Sequence, residues 1–312
     1  MPEFAFVFPG QGSQSVGMLD AWGDHRAVKR TLEEASSALG EDVAQLIRQG
    51  PKEALELTTN TQPVMLTAGI ACYRAWLEEG GPLPSALAGH SLGEYSALVA
   101  AGALTLADAL PLVRLRAQAM QQAVPVGAGA MAAILGLDAE QVRTGCDDAA
   151  RATGEVVAPA NFNDPKQTVI AGSKRGVDAA CETLKAMGAK RTLLLAVSAP
   201  FHSALMKPAA DVLHDKLIGV TIKPPQIPVI NNVDVAVQSE PGSIRDALVR
   251  QAYGPVRWVE VTQALRGRGL LHIFECGPGK VLSGLVKRID AQIVSTTVFD
   301  PASLAQAREL LA

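Results

Sequence analysis

Ser91 stands in Gly89-His90-Ser91-Leu92-Gly93-Glu94, after the apolar run Ala86-Leu87-Ala88 and before a small-residue helical pattern. A serine flanked by glycines at a strand-to-helix junction is the pattern of a nucleophile elbow. The sharp turn lifts the hydroxyl clear of the sheet, and the glycines leave room where a Cβ would strike neighbouring backbone. The following helix aims its first N–H groups and positive dipole end at oxygen charge developing beside Ser91. The chemistry on offer is nucleophilic attack on an acyl carbon. The same residues also spell a capping box, in which Ser91 and Glu94 merely satisfy helix-end amides. That reading needs neither Gly89 nor Gly93; the elbow needs both.

A serine nucleophile needs a base, and the chain has five histidines. His90 adjoins Ser91 at a strand end, where successive side chains point to opposite faces. His214 lies in a polar helical stretch, His272 in an apolar strand pattern, and His25 has no informative neighbours. His202, in Ser198-Ala199-Pro200-Phe201-His202-Ser203, is the best candidate, a neutral imidazole able to take the serine proton and return it. No acid stands out to orient it. Asp164 and Asp178 are available, and a backbone carbonyl would serve equally.

Arg116 borders an apolar helical stripe through Leu106, Leu110, Val113, Ala117 and Met120. A lone arginine there usually snorkels to water; the alternative is a fork that grips a substrate carboxylate. The helix alone slightly favours the snorkel. The Gly10-Gln11-Gly12 loop has the wrong glycine spacing for a phosphate-binding fingerprint. It can still present the Gln11 amide, with that of Leu92, to an oxyanion. A plain tight turn is the simpler alternative.

The elements that must position these residues follow from periodicity. Strands are expected at Phe4–Phe8 and at the elbow. Helices are expected at Ala27–Leu39, Val43–Arg48, Pro63–Glu78 and about Leu106–Gln122. Alternating strands and helices predict a mostly parallel sheet covered on both faces. From Val126-Gly127-Ala128-Gly129 the rhythm changes. Ala130–Leu137, Val156–Ala160, Gln167–Ala171 and Arg191–Val197 read as strands, and Asp138–Ala152 and Lys174–Met187 as helices. The order β-α-β-β-α-β is ferredoxin-like. Alternation then resumes with strands Pro228–Val233 and Leu271–Glu275 and helices Val281–Ile289 and Leu304–Leu311. The expected division is an α/β-hydrolase-like domain, 1–126 with 199–312, and an inserted small subdomain, 127–198.

The 312 residues are 48% hydrophobic with a formal net charge of −3, which gives no support to nucleic-acid binding. Cys72, Cys146, Cys181 and Cys276 lack metal-ligand spacing and suit buried thiols in a reducing compartment. The start has no basic n-region, and the tract from Tyr95 to Val113 is broken by Gly102, Asp108 and Pro111. A soluble cytoplasmic protein is expected, with no membrane or metal partner.

Together these residues resemble the malonyl-CoA:acyl-carrier-protein transacylases of type II fatty acid synthesis, over nearly the whole chain. The resemblance rests on Phe8-Pro9-Gly10-Gln11-Gly12-Ser13-Gln14, residues 89–94, Arg116 with Met120, Gly129-Ala130-Met131-Ala132-Ala133 and Asn161-Phe162-Asn163. It continues in Phe201-His202-Ser203, Asn231-Asn232-Val233-Asp234, Gln251 with Pro255-Val256-Arg257-Trp258, and Glu275-Cys276-Gly277-Pro278-Gly279-Lys280. It implies Ser91 as the acylated nucleophile, His202 as base, and the Gln11 and Leu92 amides as the oxyanion hole. Arg116 would bind the malonyl carboxylate, against the snorkelling alternative, and the backbone carbonyl near Gln251 would orient His202. Met120, Phe201 and Asn161 would contact substrate; Phe201 matches the Phe-His pairing of malonyl-selective members. No cofactor is implied, since malonyl-CoA and the carrier's phosphopantetheine are substrates. The carrier would be a transient partner of a monomer, met by basic groups such as Lys190, Arg191, Lys280, Lys287 or Arg288. A serine thioesterase or esterase would use the same elbow with water as acceptor, and a silent carrier-binding subunit would lack the catalytic set.

Overall fold

Phe4, Phe6 and Phe8 pack with Trp76 on one side of their strand, while Ala5 and Val7 pack with Trp258 on the other. Such alternation between two cores marks a strand covered on both faces. The computed structural model describes residues 3–312. The strands are β1 (Phe4–Phe8), β2 (Ala86–Gly89), β3 (Gly129–Leu135), β4 (Val157–Asp164), β5 (Gln167–Ser173), β6 (Arg191–Leu194), β7 (Val229–Ile230), β8 (His272–Cys276) and β9 (Thr297–Val298). Five of them form an all-parallel sheet in the order β7-β2-β1-β8-β9. The phenylalanine face is covered by helices that include Thr58–Glu78 and Leu106–Gln122, the other by Trp258–Gly267 and Val281–Ile289.

Register decides where the site lies. Phe8 pairs with Gly89, and Val7 with Glu275, so three loops leave the sheet side by side at the carboxyl ends of adjacent strands. That edge is where parallel α/β sheets bind ligands.

The other four strands form an antiparallel sheet, β4-β5-β3-β6. Helices Ala139–Thr153 and Lys174–Ala186 cover one face, giving the expected βαββαβ order. The opposite face carries Met131, Ala133, Val169 and Ala171, with Val197 and Phe201 against it.

Several boundaries differ from the sequence expectation. β4 runs on to Asp164 through two register shifts, because its main chain also pairs outside its own sheet. Phe162 N–H donates to the Val256 carbonyl at 2.9 Å, and Val256 N–H to the Ala160 carbonyl at 2.8 Å. β6 stops at Leu194, and Pro200 then packs on Gly129 at the start of β3. β7 has only two residues, since Asn231 Oδ1 accepts from Asp234 N–H at 2.8 Å and closes a turn. The last helix starts earlier, at Pro301, behind an Asp300 capping box. The helices Lys207–Ile218, Pro241–Tyr253 and Trp258–Gly267 and strand β9 were not expected. The apolar tract from Tyr95 to Val113 folds as buried turns of two helices, and no helix among the described residues is long and apolar enough to cross a membrane. All four cysteines are unpaired and buried.

Candidate active site

Ser91 takes a left-handed backbone, φ 52°, between β2 and the helix Gly93–Ala100. A Cβ on Gly93 would fall inside contact of the Phe8 carbonyl, and one on Gly89 would strike the Gly93 backbone. No other residue type fits this crossing. The capping-box alternative is not made: Ser91 Oγ meets His202 Nε2 at 2.7 Å, and the Glu94 side chain turns to other partners.

His202 is buried, with Nδ1 at 2.9 Å from the Gln251 carbonyl and 3.1 Å from the Gly254 carbonyl. Two acceptors require the hydrogen on Nδ1, which leaves the Nε2 lone pair facing Ser91. Burial, then the charge of Arg116, lowers the imidazole pKa to about 3, so the ring is neutral. It can accept the serine proton with no carboxylate behind it. Asp164 is bound to Arg288 at 2.7 Å and Asp178 to Lys174 at 2.9 Å. His90 bonds Asn163 through Nε2 at 2.8 Å, His25 meets Glu79 at 3.2 Å, and His214 is exposed.

Arg116 is 2% exposed, so it is no snorkelling side chain. Nη1 donates to Gln62 Oε1 at 2.8 Å, and Nη2 to Gln251 Oε1 at 3.0 Å and Ser91 Oγ at 3.3 Å. The guanidinium also lies over the Tyr95 ring, 5.5 Å from its centroid. Burial lowers its pKa, opposed by Tyr95 and Glu94. A fixed cation beside the hydroxyl can hold an anionic group of whatever acylates it.

These groups open onto a cleft of about 770 Å³ between the parallel-sheet edge and the antiparallel sheet. Gln11, Leu92, Met120, Asn161 and Phe201 all line it with Ser91, His202 and Arg116; Gln251 lies beneath it. The Gln11 and Leu92 N–H groups have no protein acceptor among the described residues. Two unused donors in residues that line the same cleft as the hydroxyl are available to an oxyanion. Arg288, one of the basic candidates, borders the cleft while tied to Asp164.

Gln62 and Asn232 had no role of their own in the sequence analysis, and Glu94 had one only in the capping-box alternative. Gln62 shares Arg116 with Gln251. Asn232 accepts from Ser91 N–H and donates to the Gly89 carbonyl, each at 2.7 Å. Glu94 receives Asn232 N–H at 2.9 Å and Gln251 Nε2 at 3.0 Å, and burial raises its pKa to about 7. The signal was faint: an amide entering the apolar run Pro63-Val64-Met65-Leu66, and paired asparagines after a short strand.

Residues 5–288 match the acyl transferase domain family. The malonyl CoA-acyl carrier protein transacylase of Escherichia coli K12 is 52% identical over 311 residues, covering 99% of this chain and 100% of that protein. The crystal structure of acyl-carrier-protein S-malonyltransferase from Burkholderia pseudomallei superposes with a TM-score of 0.97 at 63% identity, over 98% of this chain and 99% of that one. A structure of a type II PKS acyl-carrier protein in complex with its malonyl-transacylase gives a TM-score of 0.96 at 51% identity, over 99% of both chains. The chain therefore belongs to the acyl transferase domain family and, within it, to the malonyl CoA-acyl carrier protein transacylases.

Proposed function

We propose that the protein moves a malonyl group from malonyl-CoA to the phosphopantetheine thiol of an acyl carrier protein through a malonyl-Ser91 ester. The carrying observation is that one oxygen, Ser91 Oγ, has the neutral His202 Nε2 at 2.7 Å and the buried cation Arg116 at 3.3 Å. A base and a carboxylate receptor on one hydroxyl suit an acyl donor that carries its own negative charge.

In the first half-reaction His202 takes the Ser91 proton as Oγ attacks the thioester carbon. The oxyanion draws on the Gln11 and Leu92 amides. The carbon–sulfur bond breaks, and the His202 proton leaves with the coenzyme A thiol. In the second half the carrier thiol gives its proton to His202 and attacks the ester carbon, the carbon–Oγ bond breaks, and Ser91 Oγ takes the proton back from His202. Arg116 supplies selectivity, because an unpaired carboxylate in this cleft would pay a heavy desolvation cost.

The carrier as partner is supported by the 51% identical relative described in complex with one. The supply of fatty acid synthesis follows from the same family membership. A cytoplasmic location belongs to this reading and rests on the four unpaired buried cysteines. So does the division into 1–126 with 199–312 and a subdomain at 127–198, which is supported by an antiparallel sheet whose strands all lie between Gly129 and Leu194.

The test is intact mass after brief exposure to malonyl-CoA, then after adding phosphopantetheinylated carrier. A malonyl adduct on Ser91 that passes to the carrier is the expected result. Loss of the adduct to water at an equal rate without carrier would make the protein a thioesterase, and no adduct would remove the malonyl-serine intermediate.

A further inference from the structure

Glu94 is 2% exposed and lies one turn behind Ser91, outside the cleft lining. Its Oε2 accepts from Asn232 N–H and from Gln251 Nε2. Those two residues hold the elbow from both sides. The Asn232 amide grips Ser91 N–H and the Gly89 carbonyl, and Gln251 Nε2 donates to the Ser91 carbonyl at 2.9 Å. Gln251 has one amide oxygen left, and that oxygen receives Arg116 at 3.0 Å.

A glutamine amide fits its site in two orientations, and its neighbours decide between them. Glu94 Oε2 also receives the Asn232 N–H and so serves as an acceptor, and together with the Ser91 carbonyl it draws the Gln251 NH2 group toward itself. The Gln251 oxygen is thereby turned to the guanidinium. Flipping the amide would set oxygen against oxygen and NH2 against guanidinium, leaving buried groups unpaired. The same anchoring holds residue 251, whose backbone carbonyl receives His202 Nδ1.

We propose that Glu94 is a positioning residue for malonyl selectivity: by fixing the Gln251 amide it aims Arg116 at the substrate carboxylate. This rests on the reading of Arg116 given above. Glu94 touches no substrate; it acts through Gln251.

The experiment measures single-turnover acylation of the full chain by malonyl-CoA and by acetyl-CoA in Glu94→Gln, Glu94→Leu and Gln251→Met, each alone and with Arg116→Ala. Glutamine keeps an acceptor oxygen at the same reach, so Glu94→Gln should retain malonyl rates within about threefold. Leucine offers no acceptor, and the malonyl-to-acetyl rate ratio should fall about tenfold or more, as one buried charged hydrogen bond would predict. Gln251→Met removes the Arg116 contact along with the Glu94 link and should lower the ratio at least as far; Glu94→Ala, which also lacks an acceptor, stands in where Glu94→Leu does not fold. In the Arg116→Ala background neither change should move the ratio further. Equal loss of both substrates, or the same ratio shift without Arg116, would reduce Glu94 to a structural residue and overturn the proposal. If Arg116→Ala itself leaves the ratio unchanged, the carboxylate reading fails and takes this proposal with it. A shift with Arg116→Ala and none with Glu94→Leu defeats the Glu94 assignment alone.

Discussion

Ser91 and His202 both occupy the left-handed backbone region, at φ 52° and φ 60°, and their side chains meet at 2.7 Å. Non-glycine residues pay roughly 1–3 kcal/mol for such a conformation, which persists only where surroundings impose it. Asn232 and Gln251 impose it on Ser91 by holding its N–H and its carbonyl. The carbonyls of Gln251 and Gly254 anchor the His202 ring. Residue 251 thus fixes both partners, one through its side chain and one through its main chain.

Glycine at position 91 relieves that strain and alanine does not. Ser91→Gly should be more stable than Ser91→Ala by about 1 kcal/mol, after allowing for glycine's larger entropy in the unfolded chain. Both should lose acyl-enzyme formation. Urea unfolding of the two variants is the check; equal midpoints would mean that the turn accommodates a side chain freely.

The elbow glycines make a second contrast. Gly93→Ala places a methyl against the Phe8 carbonyl, where only backbone can give way, and should cost about 3 kcal/mol or more. Gly242, in the first turn of helix Pro241–Tyr253, has open space around its Cβ position. There Ala should be neutral or stabilise by up to about 1 kcal/mol. A tolerated Gly93→Ala would show that β1 and the elbow helix are less closely packed than described.

What the sequence disclosed and what it hid divide along local and non-local lines. Phe4–Phe8, Leu106–Gln122 and Val281–Ile289 carry their own periodicity and were legible residue for residue. The continuation of β4 to Asp164 depends on Val256, almost a hundred residues away in sequence, and no local pattern announces it. Arg116 misled for a related reason: its stripe suggested one buried face, but the helix is packed so that its guanidinium also lies inside. Ser91, His202 and Arg116 were readable from residue chemistry and resemblance. The Gln62, Asn232 and Glu94 partners were not, since an amide or a carboxylate in a helix acquires its role only from what folds against it.

Arg116 should not tolerate its nominally conservative replacement. Its fork serves Gln62, Gln251 and Ser91 at once, and lysine has one donor head for three directions. Arg116→Lys and Arg116→Ala should each lower malonyl kcat/KM about a hundredfold, near the 1.5–3 kcal/mol of a charged hydrogen bond. Acetyl transfer should fall far less, so the malonyl-to-acetyl ratio drops. Competition between malonyl-CoA and acetyl-CoA reads the ratio directly; parity between Arg116→Lys and the parent would argue for a point charge without geometry.

His202 ties stability to acid. Its folded pKa is pushed to about 3 from 6.5 by burial and by Arg116, so the unfolded chain binds a proton that the native ring refuses. Stability from this group is therefore whole above about pH 6.5 and is lost progressively as pH falls toward 3. At pH 5 the loss is about 2 kcal/mol relative to pH 7. His202→Gln removes the titrating group, so its unfolding free energy should drop between pH 7 and pH 5 by about 2 kcal/mol less than that of the parent. The buried Glu94 and Glu275, both raised to about 7, act with the opposite sign over the same range and are common to both proteins. Their share cancels in the difference, which is why the comparison is made between variants and not from one curve. Equal pH slopes for the two proteins would mean that the native imidazole titrates near its ordinary value, with the Ser91 hydroxyl facing a base that is half protonated near pH 6.5.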